Sequence, residues 1–230
     1  MDSFLGLAVP ALIAAVFVVV VGGNVWGALS RRRDGSHGLS AWAREHGWYY
    51  CHGTIRVPWH DLMGLSSFRV RRLLHGRSGA LWADVCHCTY ETRGNSGTGS
   101  GWTHSTTTVH DIVVAAAELG GGRPGMEVHR RGLGSRMARA LGKRAEVESG
   151  DDEFDRRYRL ESGDPDAARP FLSPELVQAH LRDEITPWRL ERGTLIVVED
   201  GVLEPAEIGR RLQNLERIAV LLGHRGGLAG

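Results

Sequence analysis

Lysine is almost missing from this chain of 230 residues: Lys143 stands alone against 27 arginines. With abundant glycine and alanine, that imbalance reads as the coding bias of a GC-rich genome rather than as selection for arginine chemistry. Cysteine is scarce as well. Cys51, Cys86 and Cys88 are odd in number and lack the spacing of a disulfide framework, which excludes a small disulfide-stapled scaffold. Charge is absent altogether between Ser3 and Ser30. No serine or cysteine is paired locally with a base, no carboxylate pair stands out and no complete nucleotide loop occurs. No catalytic residue and no cofactor is therefore assigned. Nucleic acid is not expected as a partner, since the basic half of the chain holds no recognisable reading motif.

The uncharged run is the strongest signal present. A helix over those 28 positions would be about 42 Å long at roughly 1.5 Å per residue, longer than the roughly 30 Å hydrocarbon core of a bilayer. Twelve of the eighteen residues from Phe4 to Val21 are Val, Leu, Ile or Phe, and at roughly 0.3–0.6 kcal/mol each they favour insertion by about 5 kcal/mol. Gly6 and Pro10 are tolerable there, because an apolar medium offers the backbone no competing hydrogen-bond partner. The alternative is a cleaved secretory signal that releases a secreted domain, with Ala28-Leu29-Ser30 as the small-x-small site. Against it stand Asp2 in an n-region without Lys or Arg, an apolar run longer than about 15 residues, and three arginines directly after the cut. The reading is a transmembrane anchor over 1–30 and a basic juxtamembrane linker over 31–39. Because Arg31, Arg32 and Arg33 follow the span, the N-terminus is expected outside, Trp26 at the interface, and the remaining domain in the cytoplasm as part of a single-pass cell-membrane protein.

The net charge of +1 hides a division. Residues 31–144 carry 17 basic and 8 acidic side chains (+9), residues 145–230 carry 11 and 18 (−7), and Asp2 completes the sum. A basic membrane-proximal half suits an anionic bilayer, at roughly 1 kcal/mol per cation near the surface. Pairing of the two halves with each other inside the fold accounts for the same numbers.

Beyond the linker, the pattern predicts an α+β domain over 40–223 and a flexible tail over 224–230. Ser40 is placed to cap a helix through His46, and Trp48-Tyr49-Tyr50 reads as a short strand. Phe68, Val70 and Leu74 alternate with Arg69, Arg71 and Leu73, giving one buried and one cationic face, and 75–79 reads as a turn. Strands are expected over 80–92 and 106–115, with a mobile glycine-rich tip over 93–101, so that the default is an antiparallel meander. Met126 to His129 and Tyr158 to Leu160 read as strands, and Trp188 to Glu191 with Thr194 to Val198 as a hairpin about Arg192-Gly193. Asp164-Pro165 and Ser173-Pro174 open helices with cap and proline in the favoured order. Pro205 starts an amphipathic C-terminal helix with Ile208, Leu212, Leu215, Ala219 and Leu222 on one face and Gly223 as its stop. That helix is expected to cover the sheet.

Cys86-His87-Cys88, with Cys51 upstream, comes nearest to a metal site. On a strand, however, Cys86 and Cys88 share a face and His87 takes the other, so the three cannot hold one ion without a bulge; core thiols are the expectation, and no metal is assigned. Asp151-Asp152-Glu153-Phe154-Asp155 lacks the alternate ligands of a calcium loop and reads as a solvated acidic turn paired in part with Arg156 and Arg157. Gly132-Leu133-Gly134-Ser135 starts like a dinucleotide fingerprint but lacks its third glycine. Leu133 to Leu141 reads instead as a basic amphipathic helix. Arg136, Arg139 and Lys143 flank its apolar side, suited to sheet packing or, together with Arg31, Arg32 and Arg33, to acidic lipid headgroups.

The anchor with its arginine stop, Gly47-Trp48-Tyr49-Tyr50, the Gly76-Arg77-Ser78-Gly79-Ala80 turn, the segment from Glu153 to Leu160, Asp164-Pro165 and the Trp188 hairpin together resemble uncharacterised actinobacterial single-span membrane-anchored proteins. The resemblance covers nearly the whole chain. It implies a tethered α+β domain, brings no catalytic residue with it, and implies core positions for Cys86 and Cys88, where similar sequences carry aromatics. The expected function is a binding or scaffold domain at the inner face of the membrane, with the lipid bilayer and a protein as partners. A ligand-binding or hydrolase-like site assembled only by folding is the alternative.

Overall fold

The computed structural model describes residues 37–97, 103–132 and 144–224. The span expected over 1–30, the arginines 31–33 and the basic segment holding Arg136, Arg139 and Lys143 lie outside the described residues, as does the tail beyond His224. Among the described residues no helix is long and apolar enough to cross a membrane.

Among the described residues nine strands make one antiparallel sheet, and the α+β class read from the sequence holds. They are β1 (Tyr49–Ile55), β2 (Arg69–Ser78), β3 (Leu81–Gly97), β4 (Thr103–Glu118), β5 (Met126–Arg130), β6 (Ala145–Val147), β7 (Tyr158–Ser162), β8 (Trp188–Glu191) and β9 (Thr194–Asp200). The order across the sheet is β1-β2-β3-β4-β9-β8-β5-β7-β6. Helix α1 covers residues 37–46, followed by α2 (Asp152–Arg157), α3 (Pro165–Ala168), α4 (Pro174–Leu181) and α5 (Pro205–Leu221).

Both faces of the sheet are apolar, and different structures cover them. On one face Leu74, Val85, Val113, Ala115, Leu190 and Leu195 pack under Leu39 and Ala43 of α1 and under Ile208, Leu215 and Ile218 of α5. On the other, Val70, Cys86, Cys88, Ile112, Val114 and Ile196 meet Val57, Trp59, Leu62, Met63 and Phe68 of the segment joining β1 to β2. The amphipathic face of α5 was legible. The second cover was not, because that segment has no periodicity beyond one 3-10 turn at His60–Leu62.

A bulge explains the largest departure from the alternation. Val70 stands opposite Cys88 while Arg72 stands opposite His87, so Arg71 is an extra residue in β2. One inserted residue inverts every later side chain. Val70 and Leu74, expected on one face, therefore belong to opposite cores.

Several boundaries also move. Ser40 lies inside α1, its hydroxyl donating to the His37 carbonyl at 3.0 Å, so the helix starts within the expected linker. The first strand runs to Ile55 rather than stopping at Tyr50. Only Gly79 and Ala80 separate Ser78 from its partner Leu81, with Gly79 at φ 56°, so the turn is shorter and later than expected. Arg93 to Gly97 are paired strand rather than a mobile tip, since the ladder continues to Gly97 opposite Thr103. The acidic stretch is a capped helix start: Asp151 accepts from the backbone of Glu153 and Phe154, both at 3.0 Å. Asp164 and Ser173 cap α3 and α4 as expected, accepting from Ala167 at 3.1 Å and from Leu176 at 3.2 Å.

Candidate functional site: an aromatic cleft around Asp84

Strand register alone assembles the site. Tyr49 stands opposite His75, His75 opposite Asp84, Asp84 opposite Ala116, and Ala116 opposite Ile196, in a single row across four strand boundaries. One step toward the β2–β3 turn, Arg77 stands opposite Trp82. Trp82 and Asp84 are two apart on β3 and so share a face, the one covered by the β1–β2 segment.

Asp84 is the hub. The indole N–H of Trp59, itself buried, donates to one carboxylate oxygen at 2.7 Å, and Nδ1 of His75 lies 2.8 Å from the other. With Asp84 ionised, Nδ1–H of His75 is the donor. The Trp82 ring stacks on that imidazole, centroids 5.4 Å apart and planes 10° from parallel, yet Trp82 remains 60% exposed. A large exposed indole is thus fixed from behind by a chain running through His75 and Asp84 to Trp59. Beside it opens a cleft of about 240 Å³, bounded by Arg56, Pro58, Leu73, Ala116, Glu118 and Thr194. That lies below the roughly 300–1,000 Å³ of drug-sized ligand sites, so the cleft takes a side chain or a single ring rather than a whole lipid.

A buried ion pair supports the cover. Arg189 and Glu127 lie 3.4 Å apart on β8 and β5, and Arg189 also donates to the Leu62 carbonyl at 2.6 Å. The 3-10 turn just after Trp59 is thereby tied to the far half of the sheet. Burial holds the Arg189 guanidinium below its ordinary pKa, against the opposing pull of Glu127.

The sequence-derived candidates fall elsewhere. Cys86 and Cys88 are buried on one face, as the alternation required, and burial pushes the Cys86 thiol up. Cys51 is exposed on the edge strand β1, and Leu73 stands between it and Cys86 in the register, so those two sulfurs are separated by two strand spacings, about 10 Å. His87 turns to the opposite face and meets Asp111 at 2.9 Å, where burial lowers its pKa. Among the described residues no group of three or more His, Cys, Asp or Glu side chains is placed to hold a metal ion. His75 and Asp84 have the geometry of a base oriented by a carboxylate. Thr194 supplies a hydroxyl along the cleft, and no serine or cysteine lines it among the described residues. The reading of the sequence missed this cluster. A two-residue turn at Gly79-Ala80 would have exposed it, since folding the chain there sets Arg77 against Trp82 and His75 against Asp84.

The architecture is thus a nine-stranded antiparallel sheet covered by helices on one face and by an irregular segment on the other. No protein-family model matches the sequence, and no curated protein matches it. Among solved structures the chain is similar to the crystal structure of the mycobacterial trehalose monomycolate transport factor A, TtfA. The TM-score is 0.55 at 15% identity, over 83% of this chain and 95% of that one. At that identity the likeness is one of fold.

Proposed function

We propose that this protein is a membrane-tethered, non-catalytic binding factor. Residues 1–30 form the anchor, the N-terminus lies outside, and the domain works on the cytoplasmic side by seating a partner side chain in the cleft beside Trp82. The observation that carries the reading is the exposure of Trp82 on a scaffold fixed by His75, Asp84 and Trp59. Rigid exposed aromatics next to a small pocket are the usual energetic centres of protein recognition, because they bury much area at little entropic cost. The fold likeness to a transport factor supports a part in membrane lipid transport, as a component that binds or assembles the machinery. The cleft is too small for the cargo itself to be lipid, which favours a protein partner at this site.

The test is a photo-crosslinking residue at position 77, opposite Trp82, in the full chain held in native membranes. A discrete protein adduct that disappears on Trp82→Ala is the expected result. An adduct indifferent to Trp82, or none, removes the cleft from the proposal. Digestion of the domain by protease added outside sealed spheroplasts overturns the cytoplasmic placement.

A further inference from the structure

The β3–β4 ribbon outruns the sheet. β2 reaches β3 only as far as Arg69 opposite Thr89, and β9 reaches β4 only as far as Asp200 opposite Ile112. Beyond those points one backbone bond on each side continues, from Glu91 to Ser66 and from Gly201 to Asp111. The ladder nevertheless goes on for eight more pairs, Tyr90 opposite His110 through Gly97 opposite Thr103. At roughly 3.4 Å per residue this arm is about 24 Å long. Thr92, Arg93 and Gly94 on one strand and Ser105 to Val109 on the other are exposed, so these residues build no core of their own. The Tyr90 ring stacked on His110, centroids 4.8 Å apart, stiffens the base of the arm. Two strands alone are marginal in water, so an arm of this length calls for a surface to rest on.

The packing of α1 points to that surface. Gly38, at the start of α1, lies against Pro205 at the start of α5: a Cβ there would stand 3.0 Å from the proline ring. Pro205 follows β9 closely, at the end of the sheet from which the arm projects. The other end of both helices lies by the β2–β3 turn, where Trp48 packs on Gly76 and Glu216 meets Ser78 and Gly79. The chain therefore enters the domain at the arm's end. The seven steps from Ser30 to His37 reach at most about 25 Å, at roughly 3.3–3.6 Å each, so an anchor ending at Ser30 holds that end within about 25 Å of the bilayer. The arm is about as long as the tether at full stretch, so a tether short of full extension brings the arm to the surface.

We propose that the β3–β4 arm rests on the phosphate headgroup layer of the membrane and sets the height and tilt of the domain; this rests on the anchor reading given above. Arg69, Arg71 and Arg93 are exposed along the arm and its base and supply guanidinium groups for phosphate, while the threonine hydroxyls of 106–108 suit phosphate and ester oxygens. Glu91, opposite Val109, is the carboxylate on the arm itself and shares a face with Arg93. Asp111 is engaged by His87, and Arg71 donates to the Thr89 hydroxyl at 3.3 Å. Asp200 lies on the β9 side opposite Ile112, and Glu204 precedes α5.

The test uses the full chain in vesicles of zwitterionic and anionic phospholipid doped with headgroup-nitroxide lipid. One fluorophore is placed at Val109→Cys or, in a second protein, at Ala80→Cys in the distant turn, both in a Cys51→Ser background. Strong quenching at 109 with little at 80 is expected, and Arg69→Gln with Arg93→Gln should reduce it at least twofold. Equal quenching at the two sites, or none at 109 in protein that remains with the vesicles, overturns the arm contact and leaves the anchor standing. Protein that floats free of the vesicles overturns the anchor and the arm together. Cross-linking of position 109 to a second protein in place of lipid quenching makes the arm a protein-docking ribbon and overturns the lipid assignment.

Discussion

The indole N–H of Trp188 donates to Nε2 of His180 at 3.0 Å inside a fully buried cluster with Phe154 and Tyr158. An acceptor nitrogen cannot carry a proton, so His180 is neutral with its hydrogen on Nδ1, which has no partner among the described residues. Burial takes its pKa from 6.5 down to about 4.

The unfolded chain therefore takes up this proton at a higher pH than the folded one, so stability is complete above about pH 6.5 and falls as the pH drops toward 4. The loss is about 3 kcal/mol in all, at roughly 1.4 kcal/mol for each pH unit between the unfolded and folded values. Urea denaturation of the domain from pH 7 to 4.5 should show that decline, and His180→Gln should flatten it. A wild-type midpoint that does not move over this range would disprove the assignment.

Thiol titration should separate the three cysteines. Cys51 is exposed, whereas Cys86 and Cys88 have no accessible surface. One equivalent should react within seconds under native conditions and the other two only on unfolding; two or three fast thiols would contradict the packing of β3.

Arg189 and Glu127 should behave as a unit. Arg189→Met leaves a buried carboxylate without its guanidinium and should cost about 3–5 kcal/mol, whereas Arg189→Met combined with Glu127→Leu should recover most of it. Chemical denaturation of the single and double variants measures the difference, and additive losses would mean that the two act separately.

Around the cleft, stability and recognition should part company. Asp84→Ala leaves the buried Trp59 N–H unsatisfied and should cost about 1–3 kcal/mol. Trp82→Ala, on an exposed ring, should shift stability by no more than about 0.5 kcal/mol while abolishing the position-77 adduct. A large destabilisation by Trp82→Ala would make that indole a structural prop.

What the sequence disclosed were features written locally. Pro205, Pro174 and Pro165 at their helix starts, the Arg192-Gly193 hairpin and the apolar stripe of α5 are each legible within a short stretch of chain. The bulge at Arg71 was hidden, because a one-residue insertion leaves the composition of β2 unchanged while reversing Leu74. The cleft was hidden for another reason. Trp59 and Asp84 are 25 residues apart and meet only because β1, β2 and β3 fix a register that carries the connecting segment back across the sheet. No spacing rule marks such a pair.

The strand order also has a consequence for biosynthesis. The β8–β9 hairpin, made from residues 188–200, is the wedge between β4 and β5. As the chain leaves the ribosome, the β1–β4 meander and the β5–β7–β6 group can each form early, but neither has a neighbour on its inner side until this hairpin emerges. The last strands synthesised close the sheet, and α5 seals it immediately afterwards. Until then two unpaired inner edges are exposed, so a nascent chain stalled before Trp188 should depend on chaperones far more than one stalled after Leu221.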